Sequence, residues 1–202
     1  MKSTLLTSAL SIAFIALTAF NTPKVKPESY SVDTKKSNIT WFGKKFSGSH
    51  KGTVAIKSGS LTFDNKKLIN GTFVADMNSI KDDDGSKNLE NHLKSDDFFG
   101  AQKFPNASFT VKKVAGSGAN LNITGDLTIK GITQSITFPA KISWNSDGSA
   151  TAKVEKIVID RTKYDIKYKS KSLFGDLGDN FIYDEFEFGV NLVVVKSAGT
   201  AK

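Results

Sequence analysis

His50, His92, Arg161 and the run Asp82-Asp83-Asp84 are the residues of this 202-residue chain whose types suit acid–base, metal or phosphate chemistry. The absence of cysteine removes disulfides, thiolate metal sites, cysteine nucleophiles and lipid-modified cysteine at a stroke. His50 and His92 with Asp96 or Asp97 fall short of the three protein ligands, His prominent, that a catalytic zinc ion takes. A calcium loop with Gly85 at its sixth position would begin at Ile80 and end at Asn91, where Asp and Glu are required. Gly48-Ser49-His50-Lys51-Gly52 sets its serine one position too early for a nucleophile elbow. Ser49 and His50 are also neighbours, so on a strand they face opposite ways. No phosphate-binding loop of the Gly-x-x-x-x-Gly-Lys-Ser/Thr type occurs. No metal site and no catalytic residue is therefore expected. His50 reads as a hydrogen-bonding residue at a strand start and His92 as a packed residue on a helix face. Arg161, the only arginine, offers a planar fork of donors. Its simplest partner is an internal one, Asp160, Asp165, Asp176 or Asp179, and a phosphate is the alternative.

The elements that must position these groups are strands. From Tyr30 onward, apolar and polar residues alternate in segments bounded by Gly, Asn, Asp or Pro. Ile39 and Trp41 share a face, as do Val54 and Ile56; a Ser58-Gly59 turn is expected, then Leu61 and Phe63 before an Asp64-Asn65 turn. Ile69, Gly71, Phe73, Ala75 and Met77 share the next face. Phe109 with Val111, Leu121 with Ile123, Leu127 with Ile129, and Ile136 through Phe138, Ala140, Ile142 and Trp144 follow, with Pro139 marking an edge or a bulge. Ala150–Asp160 precedes a last strand carrying Ile182, Phe186, Phe188, Val190, Leu192 and Val194 on one face. About eight half-apolar strands make either a sandwich or a closed barrel. Aromatic residues spread over the inward faces of many strands lean toward the barrel, whose eight-stranded form either fills with side chains or holds a small ligand.

Two segments break the pattern. Residues 1–19 carry Lys2 and a short apolar run interrupted by Thr7, Ser8, Ser11 and Thr18, the layout of a secretory signal cut near Ala19 and a poor spanning helix. Residues 20–29, with Pro23 and Pro27, read as a tether, and 197–202 as a C-terminal tail. Without the signal, 27 Lys+Arg face 20 Asp+Glu, a net charge of +7 on an exported periplasmic or secreted protein. The second break, Lys81–Phe104, places Leu89, His92 and Leu93 at helical spacing. So long a connection in a β domain is commonly functional, and its apolar residues suit a short helix crossing one barrel end.

Several blocks occur in a telling order: Tyr30-Ser31-Val32-Asp33 with Ile39-Thr40-Trp41; Gly48–Gly52; Asn91–Phe99 with Phe104-Pro105 and Phe109; Gly125–Thr133; Asp160–Ile166; and Gly178-Asp179. Together they resemble the YceI-like family of lipocalin-like, lipid-binding proteins over about Tyr30–Val195, so residues 30–196 are assigned to one such domain. Asp165 departs from the pattern, standing where many relatives have Gly, and so does Asn180 after Gly178-Asp179, where an acidic residue is common. The resemblance implies an all-β, eight-stranded antiparallel lipocalin-like barrel with a short helix-containing crossing. It implies an exported, non-enzymatic protein that binds, and transports or stores, a polyisoprenoid or similar amphiphile. No cofactor is implied beyond such a lipid or a quinone-like molecule.

On that reading Trp41, Phe63, Phe73, Ala75, Met77, Phe109, Phe138, Ile142, Trp144, Phe186 and Phe188 line a tunnel, the bland alternative being a filled core. His50, His92, Phe98, Phe99 and Arg161 stand at its mouth, which opens at one end or along a homodimer contact. The many lysines lie on solvent faces without the interleaved aromatics of a nucleic-acid site. They suit contact with an anionic membrane surface, or plain solvation. The alternative function is a ligand-free stress or membrane-surface module acting through that basic face.

Overall fold

Alternation buries one side of every strand, and the dry sides can all face inward only if the sheet curls and closes. In the computed structural model, which describes residues 26–198, it does so. The expected signal 1–19, most of the tether and residues 199–202 of the tail lie outside the described residues. The elements run β1 (Glu28–Val32), β2 (Asn38–Lys45), β3 (Gly48–Asp64), β4 (Lys67–Asp76), β5 (Lys81–Asp82), α1 (Lys87–Lys94), β6 (Asn106–Ser117), β7 (Asn120–Ile129), β8 (Ile132–Trp144), β9 (Ala150–Asp160) and β10 (Ile182–Lys196). Every strand pairing is antiparallel, in the order β2-β3-β4-β6-β7-β8-β9-β10, and β10 closes the ring on β2. The two short strands are continuations: β1 lies beside β10 and β3 as β2 does, and β5 extends the path of β4 along β3. The fold is thus a closed eight-stranded antiparallel barrel with one short helix. Among the described residues no helix is long and apolar enough to cross a membrane.

Two local readings change. Ser58-Gly59 is no turn: β3 runs unbroken from Gly48 to Asp64, and an extra residue between Ile56 and Ser58 makes a bulge that resets the alternation. A second irregularity, between Thr62 and Phe63 on the pairing with β4, turns Leu68 inward and leaves Ile69 45% exposed, although period two had placed Ile69 inside. Asp64 and the next residues do turn the chain. Asn65 and Lys66 both have positive φ (46° and 64°), the conformation a two-residue hairpin loop needs to match strand twist. Pro139 falls on β8 short of the Lys141–Trp144 stretch that pairs with β9, so its missing N–H leaves no ladder bond unmade on that side.

One barrel end is shut by aromatic rings. Tyr30, Phe63 and Trp144 meet edge to face, with centroids 4.9–5.4 Å apart. On the flank of the barrel Tyr164 is wholly buried, its hydroxyl has no hydrogen-bond partner, and burial pushes its pKa up to about 12. A buried hydroxyl left unpaired costs about 1–3 kcal/mol. Tyr164→Phe removes the orphan at almost constant volume and is expected to raise stability by about 1 kcal/mol in urea unfolding; a loss of that size would show that the hydroxyl has a partner after all.

Candidate functional site

Opposite the aromatic plug the barrel is hollow. A cavity of about 450 Å³ opens beneath α1. Trp41, Phe73, Ala75, Met77, Phe109, Phe138, Phe186 and Phe188 of the expected lining border it. Phe63, Ile142 and Trp144 do not, and this corrects the sequence reading. Phe63 and Trp144 belong to the plug, and Ile142 faces a void of about 40 Å³ nearer that end. Phe73, Phe109 and Phe138 border both spaces and partition the barrel, Phe109 lying 5.5 Å from Phe73 and 5.2 Å from Phe138 by ring centroids. Gly125 makes this arrangement possible: a Cβ there would come within 2.3 Å of the Phe109 ring and 2.4 Å of the Thr110 carbonyl oxygen.

The roof is built from the break in the alternation. Ser86 caps α1 by accepting from the Leu89 N–H, and Glu90 accepts from the Asp82 N–H while pairing with Lys81 and Lys87. The helix is thereby tied to β5, and Leu89, His92 and Leu93 face the cavity as their spacing predicted. β5 in turn presses against β3 and Trp41. The Trp41 indole N–H donates to the Lys81 carbonyl at 3.1 Å, and only glycine fits at Gly52, where a Cβ would sit 1.9 Å from that oxygen. Phe98 and Phe99, in the turn after α1, complete the roof. The His92 ring stacks edge-on against Phe98 at 4.9 Å and Tyr168 at 4.7 Å, and its Nε2 lies 3.3 Å from an Asp97 oxygen. It packs over the barrel end as a helix-face residue.

Arg161 borders the cavity but is committed elsewhere. Its guanidinium donates to the carbonyls of Tyr183 (3.1 Å), Ile166 (2.9 Å) and Ile182 (3.1 Å) and pairs with Asp184 at 3.5 Å, its side chain 4% exposed. The internal partner is therefore Asp184, none of the four aspartates expected from sequence. Burial works to raise the Asp184 pKa, but hydrogen bonds from Ser170 and Ser172 and the charge of Arg161 outweigh it and hold the carboxyl below its ordinary value. Burial conversely lowers the Arg161 pKa, opposed by Asp184 and Asp160. His50 borders the mouth with its Nδ1 3.7 Å from Asp82.

Sequence reasoning missed the far side of the mouth. Tyr183 borders the cavity from the start of β10, and Ile166, Tyr168, Lys169 and Phe181 border it from the chain between β9 and β10, a stretch with neither strand nor helix period. Its one readable signal is aromatic content beside lysine: Lys171 lies over Phe181 (4.9 Å) and Tyr183 (5.2 Å), and Phe181 meets Phe46 of the β2–β3 turn at 5.6 Å. Lys44, Lys45 and Ser47 also stand at the rim, as do Asp179, Asn180 and Glu185. The site is an apolar chamber with a charged, aromatic rim.

The YceI-like domain matches residues 30–194. The chain belongs to the YceI-like family. Of its YceI-like relatives, a UPF0312 protein of Shewanella denitrificans is 33% identical over 147 residues, covering 69% of this chain and 73% of that one. Among solved structures, BcnA of Burkholderia cenocepacia superposes with a TM-score of 0.64 at 24% identity, over 81% of this chain and 99% of the other. A polyisoprenoid binding domain from Saccharophagus degradans, implicated in plant cell wall breakdown, gives 0.62 at 16% identity, over 84% and 99%. Asp165 caps the turn Arg161–Tyr164 with φ 59°. Aspartate is among the few residues other than glycine that adopt this left-handed conformation readily.

Proposed function

We propose that this protein is an exported carrier or store for a long-chain isoprenoid or similar amphiphilic lipid, held tail-first in the cavity beneath α1, and that it performs no catalysis. The observation that carries the reading is the shape and chemistry of that chamber. It is about 450 Å³, walled by aromatic and aliphatic side chains, closed at the bottom by the Phe73–Phe109–Phe138 partition and rimmed by Lys44, Lys45 and Lys169 together with Asp179 and Glu185. Each methylene buried there is worth about 0.8 kcal/mol, so a tail binds firmly without specific head-group contacts. A quinone-like molecule meets the same requirements. The polyisoprenoid binding of the Saccharophagus domain, which shares the fold, supports the same ligand class here.

The mouth is also suited to loading from a membrane. Phe46, Leu173 and Phe174 are 49–53% exposed, and Lys44, Lys45, Lys169 and Lys171 accompany them. Aromatic residues favour the membrane interface, and each lysine near an anionic surface contributes about 1 kcal/mol. Native mass spectrometry and organic extraction of protein purified from its own host are expected to find about one lipid with a long apolar tail per chain, and the same spectrum reads whether the carrier is a monomer or a homodimer. Protein that is repeatedly lipid-free yet binds anionic vesicles in a salt-sensitive way would overturn the carrier reading in favour of a membrane-surface module.

A further inference from the structure

The sequence offered His50 only His92, Asp96 or Asp97 as metal-binding company. Folding gives it different neighbours. Because β5 pairs with β3, with Gly52 opposite Asp82, the turn after β5 is carried to His50, and ligand atoms of His50, Asp82 and Asp84 lie within 4.8 Å of one another. The Asp82 side chain is fully buried, and its Oδ1 and the His50 Nδ1 that faces it are both buried without a hydrogen-bond partner. They stand 3.7 Å apart. That is too long for a hydrogen bond, but close to the about 3.4 Å that separates two ligands of one tetrahedral zinc ion with bonds of about 2.0–2.2 Å.

The surroundings point the same way. The other Asp82 oxygen accepts the Ser86 N–H at 3.0 Å, an outer hydrogen bond of the kind that orients a metal-binding carboxylate. Asp83, between the two aspartates, pairs with Lys51. On a lysine-rich chain, neither Asp82 nor Asp84 forms an ion pair with a lysine or arginine among the described residues. A buried carboxylate oxygen with no partner is costly, and a cation between Asp82 and His50 would satisfy both orphaned atoms at once.

We propose that His50, Asp82 and Asp84 form a binding site for a divalent transition-metal ion of the zinc class. One imidazole and two carboxylates supply three ligands, and water fills the open position. The ion ties β3 to the root of α1 and so fastens the roof to the barrel wall. The inference does not depend on what the cavity holds.

Tag-free protein stripped with a chelator is to be titrated with ZnCl2 by calorimetry, with native mass spectrometry for stoichiometry and CaCl2 as comparator. The expected result is one zinc ion per chain, a melting temperature that rises until one equivalent is bound, and much weaker calcium binding. His50→Gln and Asp84→Asn should each weaken zinc binding more than about a hundredfold, beyond the tenfold to hundredfold typical of outer hydrogen-bond partners. Asp84 is exposed, so Asp84→Asn should fold like the parent by circular dichroism. Absence of stoichiometric binding would overturn the proposal. So would binding that survives both substitutions, as at the exposed His92–Asp97 pair, or calcium binding as tight as zinc.

Discussion

Ala75→Trp is expected to empty the cavity of lipid while leaving the barrel folded. Ala75 sits on β4 opposite Ile56 of β3 and Ala107 of β6, is 5% exposed and borders the chamber. An indole at this point has no direction to take except into the hollow, where it occupies the path of a lipid tail. Filling a packed core with a larger side chain costs typically about 1–3 kcal/mol through strain. Here about 450 Å³ of unfilled space stands ready to receive the ring, so the cost to folding should fall below that range. The cost to binding is larger. Displacing about five methylenes from the chamber forfeits about 1.5–4 kcal/mol, depending on whether ligand efficiency or full transfer energy applies, which is about tenfold to a thousandfold in affinity. Quantifying co-purified lipid in parent and variant, with circular dichroism for the fold, checks it. Undiminished lipid in a folded variant would place the binding site elsewhere.

Arg161→Met carries the largest expected effect on stability. The guanidinium gathers the Ile166 carbonyl of the β9–β10 connection and, from the start of β10, the Ile182 and Tyr183 carbonyls and Asp184, with its side chain only 4% exposed. Removing one partner of a buried ion pair costs about 3–5 kcal/mol, because the remaining charge stays buried without compensation. For a domain of this size that corresponds to a fall in Tm of about 6–20 °C. Arg161→Lys should rescue little, since a single ammonium cannot span the fork. Adding Asp184→Asn to Arg161→Met should recover part of the loss by removing the stranded charge. The Asp184 carboxyl is held below its ordinary value in the folded protein. Its contribution is therefore present above the ordinary carboxylate range and lost as pH falls through its own lowered value. A Tm change under about 2 °C would mean that the clamp is no stronger than a surface pair. This arrangement makes Arg161 a brace of the mouth and leaves few of its donors for a lipid head group.

The difference between Phe73 and Phe63 shows how far sequence reading reaches. Both sit at inward positions of alternating strands, and both are indeed inside. Yet Phe73 borders the cavity, whereas Phe63 is locked against Tyr30 and Trp144 in the plug. Period two reports which face a residue takes and nothing about its height along the barrel axis. Height depends on how each strand is staggered against the next, and single extra residues shift that stagger, as at Ile56–Ser58. At Ile69 an extra residue in the strand reverses the face itself, so period two fails there outright. The helix was legible because Leu89, His92 and Leu93 carry their own period; the Ser86 cap emerges only in the structure. The chain between β9 and β10 was not, because it has no period and borrows its order from Arg161.

Amino-acid order alone thus determined the all-β class, the existence of an apolar interior, the short helix over one end and the family, since each follows from local periodicity or from motifs in sequence. Only the tertiary structure decided which aromatics leave a hollow and which fill one, that Arg161 answers to Asp184, and that His50 meets Asp82 and Asp84. Those facts arise from side chains brought together by strand register and closure. Such distances are properties of the assembled barrel and of no segment within it.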